Sequence, residues 1–585
     1  MKPLRQTELI QCDVHHIHET LQHLCKQLNV DAPRPLISGT VTEQPTESGH
    51  AGHSDTDREA DNVCELSPPT SPSAVQAPID TFLDIAKLGS PTSADTPHSF
   101  RQRRPAPQHD LVSKGIIAFS TAEVLVDRYF SRLDHFLYGI ASHHKDIHGL
   151  RQASPVLFAA VCTISALHAS GDQLVYDKCS REFRRLVSRS LFEKKDVEYL
   201  RALCVGSFWL ADASRILSSD ALRRAADVRL HRNFYQVVNF NTNTVALDQS
   251  ALPQVEGRDR MRLWYLLFVC DQHLSILHNR DGVLRQDNEI LQKWELYLNS
   301  DGCNDSDIRI MSQVSLLLIM SEVRDALGSE RLEQLPKSLV VQLNHFSKQL
   351  DEWFTKFSAI FRPNPQIGDF PSKGLQMHYQ FGKMYLGQHV FRGLKTDPVP
   401  LHFLPAAGMA HEAAITIFRM ILHDERLQES LIGIPHYFHI MIAFAGHFIL
   451  EVCKKYSEQL MINLDENLRL IAEVLAQFNK LPSISPHPIC RMTAGLSRKL
   501  VDCAIHLGKC SCLEGNFIEP ANRMPFQSSL AIDPELQNHM VQASNLDSTS
   551  AYGFPSDQLP ASVDEYSYTD FGEFNFPDMR LNFLT

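Results

Sequence analysis

Apolar residues recur every three or four positions through most of the region 118–510, which is the spacing of amphipathic α-helices. Ser120 with Glu123 predicts a capping box, and Ser154 with Pro155 predicts an N-cap followed by a first-turn proline. Proline, glycine and polar stretches separate the apolar segments, so we expect one all-α domain. The predicted later helices cover 173–192, 197–217, 221–230, 260–279, 307–326, 337–360, 373–392, 405–423, 435–456, 464–479 and 487–509.

A second apolar pattern lies in the first thirty residues, where the steps alternate between four and three positions. This heptad seam consists of Ile10, Val14, Ile17, Leu21, Leu24 and Leu28. It predicts either a short dimerising coiled coil or an ordinary amphipathic helix packed on its own domain. The flanking positions of the heptad are uncharged, so salt bridges would not select the partner. We treat 1–30 as a separate helical segment.

Two stretches lack an apolar pattern. Residues 31–115 are rich in Pro, Ser, Thr, Asp and Gly, and residues 515–585 turn polar again. Such segments cannot bury enough apolar surface to offset the entropy lost on ordering, so both are predicted to be disordered.

Near the C-terminus, acidic residues interleave with the rings of Tyr566, Tyr568, Phe571, Phe574 and Phe576. This composition favours an activation segment over 562–578, in which the acids keep the rings solvated and available to a hydrophobic groove of the transcription machinery or a coactivator. The alternative is a tail whose rings pack back onto the helical domain.

Charge and composition narrow the class of protein. The chain has 585 residues and a net charge of −12, which argues against binding nucleic acid by itself. Thirteen cysteines are scattered singly between Cys12 and Cys512, so we expect reduced thiols in the cytosol or the nucleus. The N-terminus has no apolar leader, and histidines interrupt the longest apolar run, Leu431–Val452, so a buried core helix fits that run better than a membrane span.

Motifs that carry catalytic chemistry are not found. The sequence contains no phosphate-binding glycine loop and no nucleophile elbow. The acidic stretch DGCNDSD at 301–307 is predicted to be a solvated loop, and Cys503, His506, Cys510 and Cys512 lack the paired spacing of a zinc site. We therefore expect no enzyme, no metal site and no cofactor.

The segment 260–279 carries one polar residue that demands an explanation. Asp271 lies two helical turns from Trp264, on the face that its apolar neighbours would bury. A buried carboxylate needs a donor, so we predict that Arg232, Arg262 or Arg280 pairs with Asp271. A structural pin is favoured over ligand binding.

Several stretches together resemble the middle regulatory domain of the fungal zinc binuclear cluster transcription factors over residues 120–455. The most specific are A-A-x-x-x-L-H-R at 225–232 and R-x-R-L-W-Y-L-x-x-x-C-D-Q-H-L-S at 260–275. The supporting stretches are VDRYFSRL, SPVLFAAVCTISAL, YLRALCVGSFWLADAS and His436–Val452. The chain departs from the family pattern in two places. Arg229 stands where glycine is usual, and the stretch Asn279, Arg280 and Asp281 stands where Gly-Arg-Pro is usual.

The resemblance implies a nuclear, pathway-specific regulator of RNA polymerase II genes, with zinc and promoter DNA as partners. It also implies a six-cysteine zinc cluster, C-x2-C-x6-C and a similar second half, and this spacing does not occur in the chain. Two hypotheses remain: a DNA-directed transcription regulator that works as a homo- or heterodimer, or a cluster-less interaction protein that modulates related factors by dimerisation without binding DNA.

Overall fold

The computed structural model describes residues 109–144, 146–169, 173–193, 195–238, 251–278, 281–285, 289–328, 333–394 and 397–510. Within these residues the fold is all-α, as predicted, and the β-structure amounts to one isolated bridge between Asn364 and Gly368. The helices are α1 Phe119–Arg128, α2 Ile147–Ala153, α3 Pro155–Leu167, α4 Gln173–Arg189, α5 Val197–Trp209, α6 Ser214–Asp227, α7 Asn233–Val238, α8 Ala251–Leu277, α9 Glu289–Gln292, α10 Trp294–Leu298, α11 Asp305–Leu327, α12 Val340–Ser358, α13 Phe370–Gln388, α14 Leu404–His423, α15 Glu425–Ser430, α16 His436–Tyr456, α17 Leu464–Lys480 and α18 Pro488–His506.

Local sequence signals explain some of the helix boundaries. Ser154 caps α3 as predicted, since its hydroxyl accepts a hydrogen bond from the Leu157 amide at 3.2 Å and Pro155 occupies the first turn. The capping box predicted at Ser120 is wrong. The extended residue before α1 is Ala118, and Ser120 therefore lies inside the first turn, where its side chain cannot cap the helix.

Helices that follow one another in the chain pack together, as α3 does with α4, α5 with α6, and α13 with α14. The long helix α8 is different because it contacts elements from both halves of the described chain. It packs against α5, α6, α7, α11 and α16. Its residues from Leu263 to Val269 are buried, so α8 is a central helix of the core rather than a surface element.

Helix α16 is long and apolar enough to cross a membrane, but 83% of its most apolar window is buried within the molecule. It packs against α8, α14, α17 and α18, which agrees with the core helix expected from the sequence. Of the other segments, the heptad seam of 1–30, the tail 515–585 and the predicted linker 31–115 up to residue 108 lie outside the described residues, whereas Leu111 at the end of that linker is buried. The division into domains therefore stays a prediction.

Candidate functional site in the polar interior of helix α8

The structure brings together the two most specific stretches of the sequence. Helix α6 ends two residues after Ala225, and the chain then passes through Arg229 into a 3-10 turn, Leu230–Arg232. Leu230 is buried, and the ring of His231 lies 5.2 Å from the ring of Trp264 on α8. The 225–232 stretch therefore closes over the side of α8 that carries the 260–275 stretch.

Asp271 is buried. Its two carboxylate oxygens accept hydrogen bonds from the backbone amides of Val283 at 3.0 Å and Leu284 at 2.9 Å. The neighbouring Gln272 side chain donates to the Leu284 carbonyl at 3.2 Å and accepts from Ser321 on α11 at 2.9 Å. Asp271 thus fixes the loop that leaves α8, and Gln272 ties the same turn to α11.

The three arginines predicted as partners of Asp271 have different positions. Arg262 forms an ion pair with Asp307 instead, and Arg232 is exposed on the 3-10 turn. Arg280 lies outside the described residues. The pairing of Asp271 with Arg280 therefore stays a prediction, while the donors that the structure describes include two backbone amides and the Gln272 side chain, which donates at 3.3 Å.

Gly282 is required by the close approach of this loop to α8. A Cβ atom at this position would lie 2.3 Å from the Gln272 amide nitrogen and 2.9 Å from an Asp271 oxygen. No side chain fits there without displacing the pin. The sequence alone does not predict this close approach at Gly282.

A second polar pin lies two turns earlier on α8. The Arg262 guanidinium donates to both oxygens of Asp307, at 2.7 Å each, and Asp307 is fully buried at the start of α11. Asp307 also forms the capping box of α11 with Asn304, whose backbone amide donates a hydrogen bond to the Asp307 carboxylate at 3.0 Å. The prediction of a solvated loop at 301–307 is wrong for Asp307, because a single carboxylate caps α11 and neutralises an arginine of α8.

Further groups complete this pin. The Tyr297 hydroxyl donates to Asp307 at 2.9 Å, and Arg258 lies 3.8 Å from the same carboxylate and over the Tyr297 ring. Burial alone would lower the pKa of Arg262, but hydrogen bonding and the charge of Asp307 raise it above its ordinary value. The Arg262 charge is therefore permanent.

The third polar group of α8 faces α16. His273 is buried, its Nε2 lies 3.2 Å from the Gln313 side-chain oxygen on α11, and its ring stacks on Tyr437 of α16 at 4.1 Å. Burial first, and then the neighbouring His378, lowers the pKa of His273 well below its ordinary value. This histidine is neutral near pH 7 and acts as a hydrogen-bonding spacer between three helices. We call the Arg262, Asp271 and His273 contacts the polar spine of α8.

The groups of the polar spine can hold neighbouring helices in position. The thiol nearest to it, Cys270, is buried, and burial raises its pKa to about 12, so the reactive thiolate is not formed near pH 7. Among the described residues, no cysteine belongs to a group of three side chains that could ligate a metal ion. The zinc cluster implied by the resemblance is therefore not formed by the described part of the chain. The heptad seam and the activation segment lie outside it.

The comparisons with known proteins agree with this picture. Residues 115–494 match the family model described as "Transcriptional activator of proteases prtT middle domain". A protein of Emericella nidulans, "Transcriptional activator of proteases prtT", is 29% identical to this chain over 447 residues, which cover 73% of this chain and 64% of that protein. The chain thus spans less than two thirds of the length of this relative. The matched range contains α8 and the whole polar spine.

Proposed function

This chain belongs to the family of the prtT transcriptional activator middle domain, and on that basis we propose that it is a fungal transcription regulator. The resemblance found in the sequence is confirmed at the level of the family. The observation that carries the proposal is the extent of the match, which covers the helical domain from α1 into α18.

We further propose that the targets include protease genes. The support is the name of the Emericella nidulans relative, which describes it as an activator of proteases, together with the 73% of this chain over which the two align. The control would be pathway-specific, because one regulator would set the level of a functionally related group of genes.

In this proposal the helical domain is a control module rather than an enzyme. The polar spine links α8 to α11 and α16, so the contacts between these helices are fixed by charged and hydrogen-bonded pairs. Interiors with this kind of specific pairing adopt discrete arrangements rather than deforming continuously. An effector or a corepressor that favours one arrangement of these helices would change the activity of the attached tail.

The nucleus, promoter DNA and dimerisation also belong to the proposal. The seam of 1–30 would form the dimer, and DNA contact would come either from a zinc cluster outside the present sequence or from a partner factor. The net charge of −12 argues against nucleic-acid binding by the residues of this chain themselves. This charge is the observation behind the second candidate function, an interaction protein that modulates related factors by dimerisation.

A reporter assay tests these functions. The full chain, and separately residues 550–585, would be fused to an unrelated DNA-binding domain upstream of a reporter gene. We expect both fusions to activate, and we expect alanine at Tyr566, Tyr568, Phe571, Phe574 and Phe576 to abolish the activity while protein levels stay equal. Serine substitutions within 550–561, which both fusions contain, are the matched control.

The unfused chain would be expressed alongside a related zinc-cluster factor and its own reporter. A change in that reporter that requires Ile17 and Leu24 of the seam supports the interaction protein. If neither the fusions nor the unfused chain changes transcription of a reporter, the proposed function is contradicted.

A further inference from the structure

A separate group of side chains, outside the polar spine, consists of two consecutive histidines that face the same carboxylate. The Nε2 of His144 lies 2.8 Å from one oxygen of Glu198, and the Nε2 of His143 lies 3.3 Å from the other oxygen. All three ligand atoms lie within 4.8 Å of one another, and they form the one such group of three among the described residues. The His143 side chain is 41% exposed and the Glu198 side chain 20% exposed, so the group opens to solvent on one side.

The loop that carries the histidines is held in place by buried groups. The carboxylate of Asp134, which is fully buried, accepts hydrogen bonds from the Ala141 amide at 3.1 Å and the Ser142 hydroxyl at 2.6 Å. The buried Arg201 donates to the Ile140 carbonyl from the other side. The loop is therefore fixed before any ligand arrives, which lowers the entropic cost of binding one.

The charges around the group leave one negative charge uncompensated. Arg201 pairs with Asp259 at 2.7 Å as well as with Glu198 at 3.2 Å. One guanidinium thus faces two carboxylates, and with neutral histidines the group as a whole carries a charge of about −1. A bound divalent cation would change this charge from about −1 to about +1.

We propose that His143, His144 and Glu198 bind a divalent transition-metal ion such as Zn²⁺, through the two Nε2 atoms and a carboxylate oxygen, with water as the remaining ligand. Imidazole nitrogens suit zinc, copper and nickel, whereas calcium and magnesium require an all-oxygen site. Ligand atoms at about 2.0 Å in a tetrahedral site are about 3.3 Å apart. The Nε2 atoms of His144 and His143 lie 2.8 and 3.3 Å from the two different oxygens of Glu198, and the three ligand atoms lie within 4.8 Å of one another, so a small movement of these side chains would give that spacing.

A metal at this position would join the loop after α1 to the N-terminal turn of α5. Both Nε2 atoms would have to be free of a proton, so that each can offer a lone pair to the metal ion. The competing explanation is two Nε2–H groups that simply donate to Glu198. The two explanations differ in whether a metal ion binds.

The test uses the purified full chain, titrated with ZnCl₂ in a calorimeter and with CoCl₂ in a spectrophotometer. Cobalt distinguishes this site from the thirteen cysteines, since thiolate ligands give intense charge-transfer bands and a His₂Glu site does not. We expect one bound ion without charge transfer, and a rise in the melting temperature on adding Zn²⁺. Binding should weaken about a hundredfold in the His143→Gln/His144→Gln double variant.

Two further variants guard against misfolding and nonspecific effects. His143→Gln alone removes the more exposed ring and should weaken binding at least about tenfold while the circular dichroism spectrum is unchanged. The control is His423→Gln, because His423 is exposed and its ring contacts its own helix. Metal binding that is equal in the wild type and the double variant, or a wild type that binds neither ion, would overturn the proposal.

Discussion

Arg229 occupies a backbone conformation that glycine adopts at lower cost. Its φ of 56° and ψ of 41° lie in the left-handed region, and the turn that leads from α6 into Leu230–Arg232 requires them. In the zinc binuclear cluster family that the sequence resembles, glycine is usual at this position. The structure supplies the reason, because a Cβ atom in this region costs about 1 kcal/mol or more.

Replacing Arg229 by glycine should therefore stabilise the domain, by about 0.5–1 kcal/mol after the added freedom of the unfolded chain is subtracted. The measurement is the urea midpoint of unfolding. Arg229→Ala is the matched control, since it removes the exposed side chain and keeps the Cβ. An equal gain for alanine and glycine would show that charge, and not backbone strain, limits stability here.

Gly282→Ala should have the opposite effect. The added Cβ would lie 2.3 Å from Gln272 and 2.9 Å from Asp271, so the loop has to leave the carboxylate that binds it. We expect a loss of about 1–3 kcal/mol, the cost of overpacking a buried contact. Gly408→Ala, where a Cβ would meet no atom within 4 Å, is the control and should be neutral or stabilising. An unchanged stability of Gly282→Ala would show that the loop has room for a side chain at this position.

At the scale of the elements, the Arg262–Asp307 pair joins α8 to α11, and removal of one partner leaves the other charge buried. Asp307→Asn and Arg262→Met should each lose about 3 kcal/mol of unfolding free energy. The double variant should lose less than the sum, with a coupling of about 2 kcal/mol. Strictly additive losses would mean that the two groups stabilise their helices independently.

Most of the helices could be predicted from the periodicity of apolar residues. The bounds predicted for the last helices differ from the observed ones by a few residues at most. For α17 the predicted range is 464–479 and the observed helix is Leu464–Lys480. One predicted helix, 197–217, is two in the structure, because the chain turns between Leu210 and Ala213. The apolar pattern continues through this turn, so the sequence does not indicate that the helix ends there.

The polar spine was harder to predict than the helices. The burial of Asp271 follows from its position on an apolar face, a property of one helix. The role of Asp307 depends on α8 and α10 folding against the start of α11, so its sequence neighbourhood of acidic and small residues reads as solvated. Choice of partner is a tertiary property, and a single sequence carries little information about it.

The interior of the described helical domain holds many neutral histidines. Burial lowers the pKa of His168, His389 and His447 to about 3 and that of His436 and His487 to about 4. Between these values and the unfolded value near 6.5, the unfolded chain binds more protons than the folded chain. Stability therefore falls as the pH drops from 6.5, by up to about 1.4 kcal/mol per pH unit for each histidine.

One buried carboxyl acts in the other direction. Burial raises the pKa of Asp134 to about 6, so between pH 3.8 and 6 the folded state holds an extra proton there and gains stability on acidification. The histidines outnumber it. We expect the melting temperature to fall steadily between pH 6.5 and 5.

His447→Leu tests this account of the acid sensitivity. Both ring nitrogens of His447 are buried without a hydrogen-bond partner, near Lys499 and Glu451. The leucine variant should be at least as stable as the wild type at pH 7, and its stability should depend on pH with a slope smaller by about one proton. An unchanged slope would show that His447 does not titrate on unfolding.

We propose that this chain regulates transcription of protease genes and that its helical domain is required for this regulation. The most direct test deletes the gene in its native fungus and measures transcripts of protease genes, with the wild-type gene and the Asp307→Asn gene returned separately. The account predicts a coordinated change in these transcripts, restored by the wild type and not by Asp307→Asn. Protease transcripts that stay at their normal level after deletion would contradict it.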